Sequence, residues 1–235
     1  MEKIIYLLSS TVEPAELREL LTGSIADEIL ICKEVHELEV YVSDQAGPLV
    51  DGLENNMNPL GLMSAGVSIW LRTLDGRGDI ESALLKVAET IAGYSVTESV
   101  PREYTSRSWD DGVQSPTLTI GTAFAEKPGL DDEAFFERWH HSHTPLSLSI
   151  HPLTRYVRNT VSRVLTSDAP AYKAIVFESV ESIEVLADIE QFYGGEANRK
   201  LAIADLCSFA DLRTMSSMPM SETIVRSASW RRQAN

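Results

Sequence analysis

Four of the chain's five histidines fall between Asp131 and Asn159, in the run DDEAFFERWHHSHTPLSLSIHPLTRYVRN. They are His140, His141, His143 and His151, and Phe136 and Trp139 stand among them. Imidazole ordinarily titrates near neutrality, so histidines beside aromatic walls suit proton transfer to and from a small molecule. Phe136, Trp139, His143 and Leu146 follow the i, i+3, i+7, i+10 spacing of one α-helical face. His143 is therefore expected beside Trp139, on the side that packs against a sheet. His140 flanks it, and His141 lies round the helix in solvent. Pro145 has no N–H to donate, so the helix is expected to end, bend or loosen there. The plain alternative is that His143 is a hydrogen-bonded core residue and Trp139 ordinary core. His140 and His143 could chelate a metal, but no carboxylate stands near them on that face and H-E-x-x-H is absent, so no metal is expected.

Elements on both sides must position this stretch. Lys3 to Ser9 is an apolar run of strand type, and Glu13 to Leu30 has helical spacing, with Pro14 in the first turn and Gly23 weakening the middle. Val35 to Val42 alternates as a strand, then comes a polar loop with Gly47, Pro48, Gly52 and Pro59. Met63 to Leu74 predicts a strand, Asp79 to Ala92 a helix and Tyr94 to Tyr104 a strand. Residues 105–116 form a polar connection, taken as a linker between a first unit at 1–104 and a second at 117–235. The second unit repeats the order. Strands are expected at Leu118 to Ala125, Leu153 to Leu165, Tyr172 to Val180 and Ser221 to Arg226. Helices are expected from Asp131, at Ile183 to Tyr193 and at Arg199 to Phe209. Two copies of β-α-β-β-α-β predict an α+β fold of two ferredoxin-like units, with helices on one sheet face and the two bare faces packed together.

Composition narrows the function classes. The 235 residues are 43% hydrophobic and 23% charged, values of a globular chain with a sizeable core. A formal net charge of −15 disfavours nucleic acid and anionic membrane surfaces as partners. The local basic excess is confined to Arg226, Arg231 and Arg232. Cys32 and Cys207 lack disulfide or zinc spacing, which fits a reduced cytoplasmic chain. No apolar run is long enough to span a bilayer. No dinucleotide, P-loop or nucleophile-elbow motif is present, and Gly76-Arg77-Gly78 and Gly194-Gly195 read as turns.

The run Phe136-x-x-Trp139-x-x-x-His143-x-Pro145-Leu146, followed by Arg155-Tyr156-Val157-x-Asn159, resembles the EthD-domain family of the dimeric α/β-barrel superfamily. Ala204-Asp205-x-x-x-Phe209-x-Asp211 is similar to that family's acidic, aromatic segment. The likeness spans about residues 117–227. It implies a pocket between the first helix and the sheet of a unit, with the two sheets paired into an intramolecular pseudo-dimeric barrel. It also implies cofactor-free chemistry, with His143, Tyr156 and His140 as catalytic candidates and Trp139, Phe136 and Asn159 as substrate-binding candidates. The helix at Glu13 to Ile31 contains no His and no Trp, so the first unit is a degenerate partner and one pocket per chain is expected. Tyr156 and Asn159 are an odd number of residues apart. On a straight strand they point to opposite faces, and they share a pocket only if a bulge intervenes.

The expected function is a lyase or isomerase acting by histidine acid/base chemistry, through dehydration, cyclisation, isomerisation or decarboxylation of an aromatic or polyketide-like molecule. Two alternatives stand beside it: cofactor-free monooxygenation of a quinol or anthrone, and non-enzymatic binding of a small molecule or haem, with His143 or His140 as axial candidate. The expected partner is a small hydrophobic or aromatic substrate, with room for a homo-oligomer beyond the pseudo-dimer.

Overall fold

The computed structural model describes residues 1–45, 58 and 60–228. The loop with Gly47, Pro48, Gly52 and Pro59 and the arginines at 231 and 232 lie outside the described residues. The first unit runs β1 (Glu2–Ser9), α1 (Pro14–Thr22), α2 (Ser24–Ile31), β2 (Val35–Val42), β3 (Ala65–Leu71), α3 (Arg77–Leu84) and β4 (Thr90–Arg102). The second runs β5 (Leu118–Phe124), α4 (Asp132–Phe136), a π-helical segment (Glu137–His143), α5 (Thr144–Ile150), β6 (Arg155–Val164), β7 (Ala174–Val180), α6 (Ile183–Ala187), α7 (Ile189–Tyr193), α8 (Glu196–Phe209) and β8 (Ser216–Arg226).

The eight strands close into one antiparallel barrel in the order β1-β3-β2-β8-β5-β7-β6-β4. Each unit contributes four neighbouring strands in the ferredoxin-like order. The units join edge to edge, β2 with β8 and β4 with β6. Full closure leaves no sheet edge open, so the bare faces meet as the inside of a barrel. Among the described residues no helix is long and apolar enough to cross a membrane.

Strand alternation sorts the side chains into three layers. Ile4, Tyr6, Leu8, Leu38, Val40, Val67 and Ile69 pack under the first unit's helices. Ile5, Leu7, Tyr41, Tyr94, Val157, Ile175, Phe177 and Met220 fill the barrel. Phe124, Phe135, Trp139, Tyr156, Val176 and Phe209 pack between the second unit's sheet and helices. Gly93 sits opposite Tyr6 in the β1–β4 register, where a Cβ would come within 2.7 Å of the tyrosine ring. The ring lies where a side chain would otherwise stand.

Several element boundaries differ from expectation. The first helix breaks in two at Gly23, whose Cβ would meet the Glu19 carbonyl at 2.9 Å. The helix expected over Asp79 to Ala92 stops at Leu84, and Ile91 belongs to β4. Ile91 packs on the same helix-covered layer, so helix and strand periodicity agree on its burial and differ only on its element. The expected single helix over Ile183 to Tyr193 is two short ones that meet at Asp188, which caps the second through Glu190 and Gln191 N–H. The final strand begins at Ser216, five residues earlier than its apolar pattern suggests.

One polar cluster sits inside the barrel and ties the units together. Arg155, on β6, donates through Nη2 to Glu39 Oε1 at 2.8 Å and through Nη1 to Glu222 Oε1 at 2.5 Å. Glu39 is on β2 of the first unit and Glu222 on β8 of the second, and all three are buried. Tyr41 donates to Glu39 at 2.6 Å and Tyr104 to Glu222 at 2.5 Å, so the carboxylates are also held by hydroxyls. Three neighbouring carboxylates raise the Arg155 pKa against the opposing effect of burial.

Candidate active site

The helix of the histidine run does not end at Pro145. Asp131 caps its start, its side chain accepting from Ala134 N–H at 2.8 Å. The turns then widen into the π segment, where Thr144 N–H reaches the Trp139 carbonyl five residues back. The wider turn gives the proline ring room beside the preceding carbonyls, and α5 continues through it. This corrects the expected geometry. Five-residue spacing puts Thr144 below Trp139 toward the sheet, and it swings His143 sideways onto α8. Phe135, rather than Phe136, is the fully buried phenylalanine of this face.

His143 meets a partner from a distant element. Its Nδ1 lies 2.8 Å from Asp205 Oδ2, and its ring is 4.9 Å from that of Phe209, both on α8. Ser142 Oγ donates to the other Asp205 oxygen at 3.0 Å. Arg138 donates to the Ser208 carbonyl at 2.6 Å, fastening the end of α8 to the π segment. The His143 and Asp205 side chains are 15% and 14% exposed, so the pair keeps a window to solvent. Burial lowers the His143 pKa; Asp205 opposes this, and the nearby Arg158 adds to it. The net lowering leaves a neutral imidazole at pH 7. A carboxylate only accepts, so Nδ1 carries the hydrogen and Nε2 keeps its lone pair.

The other candidates line the same layer, with one exception. Trp139 is buried and packs edge-on to Phe124. His140 lies against Phe136 and Trp139, ring centroids 5.2 and 4.8 Å away. Its Nε2 has no hydrogen-bond partner among the described residues, and burial pushes its pKa down to about 4. Tyr156 is buried beneath Thr144, whose Oγ1 is 3.5 Å from its hydroxyl, and burial raises its pKa. Asn159 is the exception. The β6–β7 register runs from Tyr156 to Asn159 without a bulge, so Asn159 points into the barrel, where Nδ2 donates to the Ile175 carbonyl at 3.0 Å. His151 stacks on Phe192 and His141 is exposed.

Three groups of this layer were not singled out for chemistry by sequence reading. Asp205 sits in a segment of recognisable pattern, but its pairing spans 62 residues. Arg158 donates to Thr144 Oγ1 at 2.8 Å and lies over the Trp139 ring. Glu178 is half-buried on β7 opposite Tyr156, on the helix-covered face. It has no hydrogen-bond or ion-pair partner among the described residues. Desolvation alone raises its pKa from 4.5 to about 7. The native state therefore holds a proton that the unfolded chain has released between those values, and stability falls as pH rises through the window. Glu178→Gln is expected to stabilise the protein at pH 8, by up to roughly 3 kcal/mol, and by little at pH 4. Urea unfolding at the two pH values measures the difference, and an equal effect at both would refute the assignment.

A separate cleft of about 450 Å³ opens beside β1 and β4, lined by Lys3, Trp70, Val96, Glu98 and Ser162 among others. Lys3 is held there by Glu98 at 2.5 Å and stands over the Trp70 ring. None of the lining residues belongs to the His143 layer.

Among the described residues, the first unit presents no counterpart of the site. Its helix-facing pairs on β2 and β3 are Leu38–Ile69 and Val40–Val67, whereas β6 and β7 present Tyr156–Glu178 and Arg158–Val176.

Comparison with known proteins agrees with this architecture. An anthrone oxidase-like protein superposes with a TM-score of 0.61 at 10% identity, over 97% of this chain and 96% of its own. A candidate monooxygenase from Lactobacillus acidophilus NCFM gives 0.50 at 12% identity, over 96% of each chain. Another from Fusobacterium nucleatum gives 0.52 at 10%, over 96% of this chain and 92% of its own. At such identities the likeness carries the fold. No curated protein matches the chain in sequence. Residues 127–212 match the EthD domain family, a span that takes in the π segment, Tyr156, Glu178 and Asp205. The chain thus folds as one closed barrel of two ferredoxin-like units, and residues 127–212, all in the second unit, match the EthD domain family.

Proposed function

We propose that the second unit is a cofactor-free enzyme in which His143 Nε2 removes an acidic C–H or O–H proton from an aromatic or polyketide-like small molecule, leading to elimination, isomerisation or decarboxylation. The observation that carries this reading is the His143–Asp205 pair. Asp205 holds the imidazole in one tautomer and stabilises the imidazolium that forms on proton transfer. Phe136, Trp139 and His140 supply an aromatic wall, while Arg158 and the Tyr156 hydroxyl supply donors for a developing enolate; Thr144 Oγ1 accepts from Arg158 and donates to the Trp139 carbonyl, which positions the guanidinium.

A β-hydroxy ketone fused to an aromatic ring tests it. The probe 3-hydroxy-1-tetralone has an acidic C2–H and yields 1-naphthol on loss of water. In D2O the protein is expected to exchange the C2 protons faster than buffer alone and to release 1-naphthol. Exchange at the buffer rate would refute the reading for this substrate class.

A second reading shares the first step. The names of the structural neighbours, an anthrone oxidase-like protein and two monooxygenase candidates, favour oxygenation of an anthrone-type molecule, which also begins with deprotonation. Oxygen uptake with 1,8-dihydroxyanthrone, measured against anaerobic exchange of its methylene protons, separates oxygenation from simple proton transfer.

A further inference from the structure

Resting on the reading of the second unit as a small-molecule enzyme, we propose that Arg158 is its specificity-determining residue and that the molecule it recognises is an aromatic carboxylate, held by the unpartnered edge of the guanidinium with its ring against Phe136, Trp139 and His140.

A cation without a counter-ion carries this. The chain has 35 acidic residues to 20 lysines and arginines, so carboxylates are in surplus. Arg158 nevertheless makes no ion pair among the described residues, and its one hydrogen bond there runs from Nη1 to Thr144 Oγ1 at 2.8 Å. Glu178 stands two positions along β7 from Val176, the register partner of Arg158, and makes no ion pair with it. Arg155, on the same strand but inside the barrel, is held by three carboxylates. The two arginines shift in opposite directions. Carboxylates raise the Arg155 pKa, whereas burial lowers that of Arg158 with no carboxylate to oppose it. Packing does not call for a charge here, since the helix-facing pairs Leu38–Ile69 and Val40–Val67 of the first unit are aliphatic.

The surroundings suit a flat anion. Trp139 is buried, while Phe136, His140 and Arg158 are each only half-buried around it. The Arg158 Cζ stands 5.8 Å from the Trp139 ring centroid, so the indole backs the guanidinium and leaves its edges open. Thr144 fixes Nη1 and is itself anchored to the Trp139 carbonyl. Nε is buried without a hydrogen-bond partner. The Nε and Nη2 hydrogens point in parallel, the fork that matches the two oxygens of a carboxylate. His140, with its ring 4.8 Å from Trp139, also has a buried Nε2 without a partner among the described residues. Its pKa of about 4 keeps it neutral at pH 7, so Arg158 supplies the charge. Arg158 lowers the pKa of both His140 and His143, which places it within electrostatic reach of the two imidazoles. Of the five guanidinium hydrogens, one serves Thr144 and two would serve the carboxylate, which leaves donors for an enolate oxygen.

Two probes of one shape isolate the charge: 1-naphthoate carries the carboxylate and 1-naphthamide is its neutral counterpart. By titration calorimetry the wild type is expected to bind naphthoate about 10-fold tighter than the amide, or more, as charge-assisted hydrogen bonds provide. Arg158→Gln is expected to bring the two affinities together. Arg158→Lys should restore part of the preference, since an ammonium is a point charge without the fork. Equal affinities in the wild type, binding of neither probe, or a preference that survives Arg158→Gln overturns the proposal. A second measurement needs no folded glutamine variant. In protein labelled with [15N]arginine, naphthoate is expected to shift the Nε–H resonance that is missing from Arg158→Lys, and an unmoved resonance overturns the proposal. Neither readout requires turnover. If 3-hydroxy-1-tetralone exchanges at the buffer rate while the naphthoate preference depends on Arg158, the base reading fails and the carboxylate site stands. If exchange is accelerated and the preference is absent, the carboxylate site fails and the base reading stands.

Discussion

Replacing Arg155 with alanine is expected to remove about 3–5 kcal/mol of stability, because it takes away the guanidinium that two buried carboxylates share. Glu39 and Glu222 come from opposite units and are 2% and 0% exposed. Their hydrogen bonds from Tyr41 and Tyr104 would persist, but a hydroxyl cannot offset a full charge in a low-dielectric interior. In the variant both carboxyls would take up protons more readily than in the unfolded chain. The loss should therefore shrink as pH falls and grow as it rises. Urea unfolding at pH 5 and pH 8 measures this. Adding Glu39→Gln and Glu222→Gln to Arg155→Met should recover much of the loss, since replacing a whole buried ion cluster costs far less than breaking it. A loss under about 1 kcal/mol in Arg155→Ala would mean that water or rearrangement already screens the cluster.

His143→Ala is expected to lower proton exchange and turnover by about 10²–10⁴-fold, the usual contribution of a positioned acid or base. Folding should be retained, because the side chain keeps partial exposure and its main contacts are to Asp205 and Phe209. Asp205→Asn probes the same pair differently. Asparagine can still accept from Nδ1–H, but it removes the negative charge that stabilises the imidazolium. Its loss should lower the His143 pKa further, because Asp205 opposes the effect of burial. The acid limb of the rate profile should lie below pH 6.5 in the wild type and move lower in Asp205→Asn, with a reduced plateau. A purely structural Asp205 would change the amount of folded protein and leave the limb in place. That outcome, or full activity in His143→Ala, would remove the pair from the mechanism.

Much of the fold was legible because each strand's alternation and each helix's period match what it buries. The order β-α-β-β-α-β in each half needed only local patterns, and the closed barrel follows from two sheets with exposed edges. The errors arose where two periods agree. Ile80, Leu84, Val87 and Ile91 suit a continuous helix, yet the last of them lies in β4, because helix and strand there bury the same side. The site was legible only in part. The Trp139–His143 spacing marked the right stretch, but α-helical arithmetic pointed His143 at the sheet. The π segment adds a residue to the turn and puts Thr144 there.

The sequence by itself determined that one unit differs from the other. Histidine and arginine are concentrated in the second, while the first helix carries neither His nor Trp. Strand parity left Tyr156 and Asn159 on opposite faces unless a bulge intervened, and the unbroken β6–β7 register decided that they part. Only the tertiary structure decided what His143 is. Its carboxylate partner lies 62 residues away, and the pairing depends on α8 docking against a widened helical turn. The same holds for Glu178, which reads locally as one acidic residue in an alternating strand. Its neighbours on β5, β6 and α7 leave it without a counter-charge, and a protonation state set by desolvation cannot be read from a residue's own position in the chain.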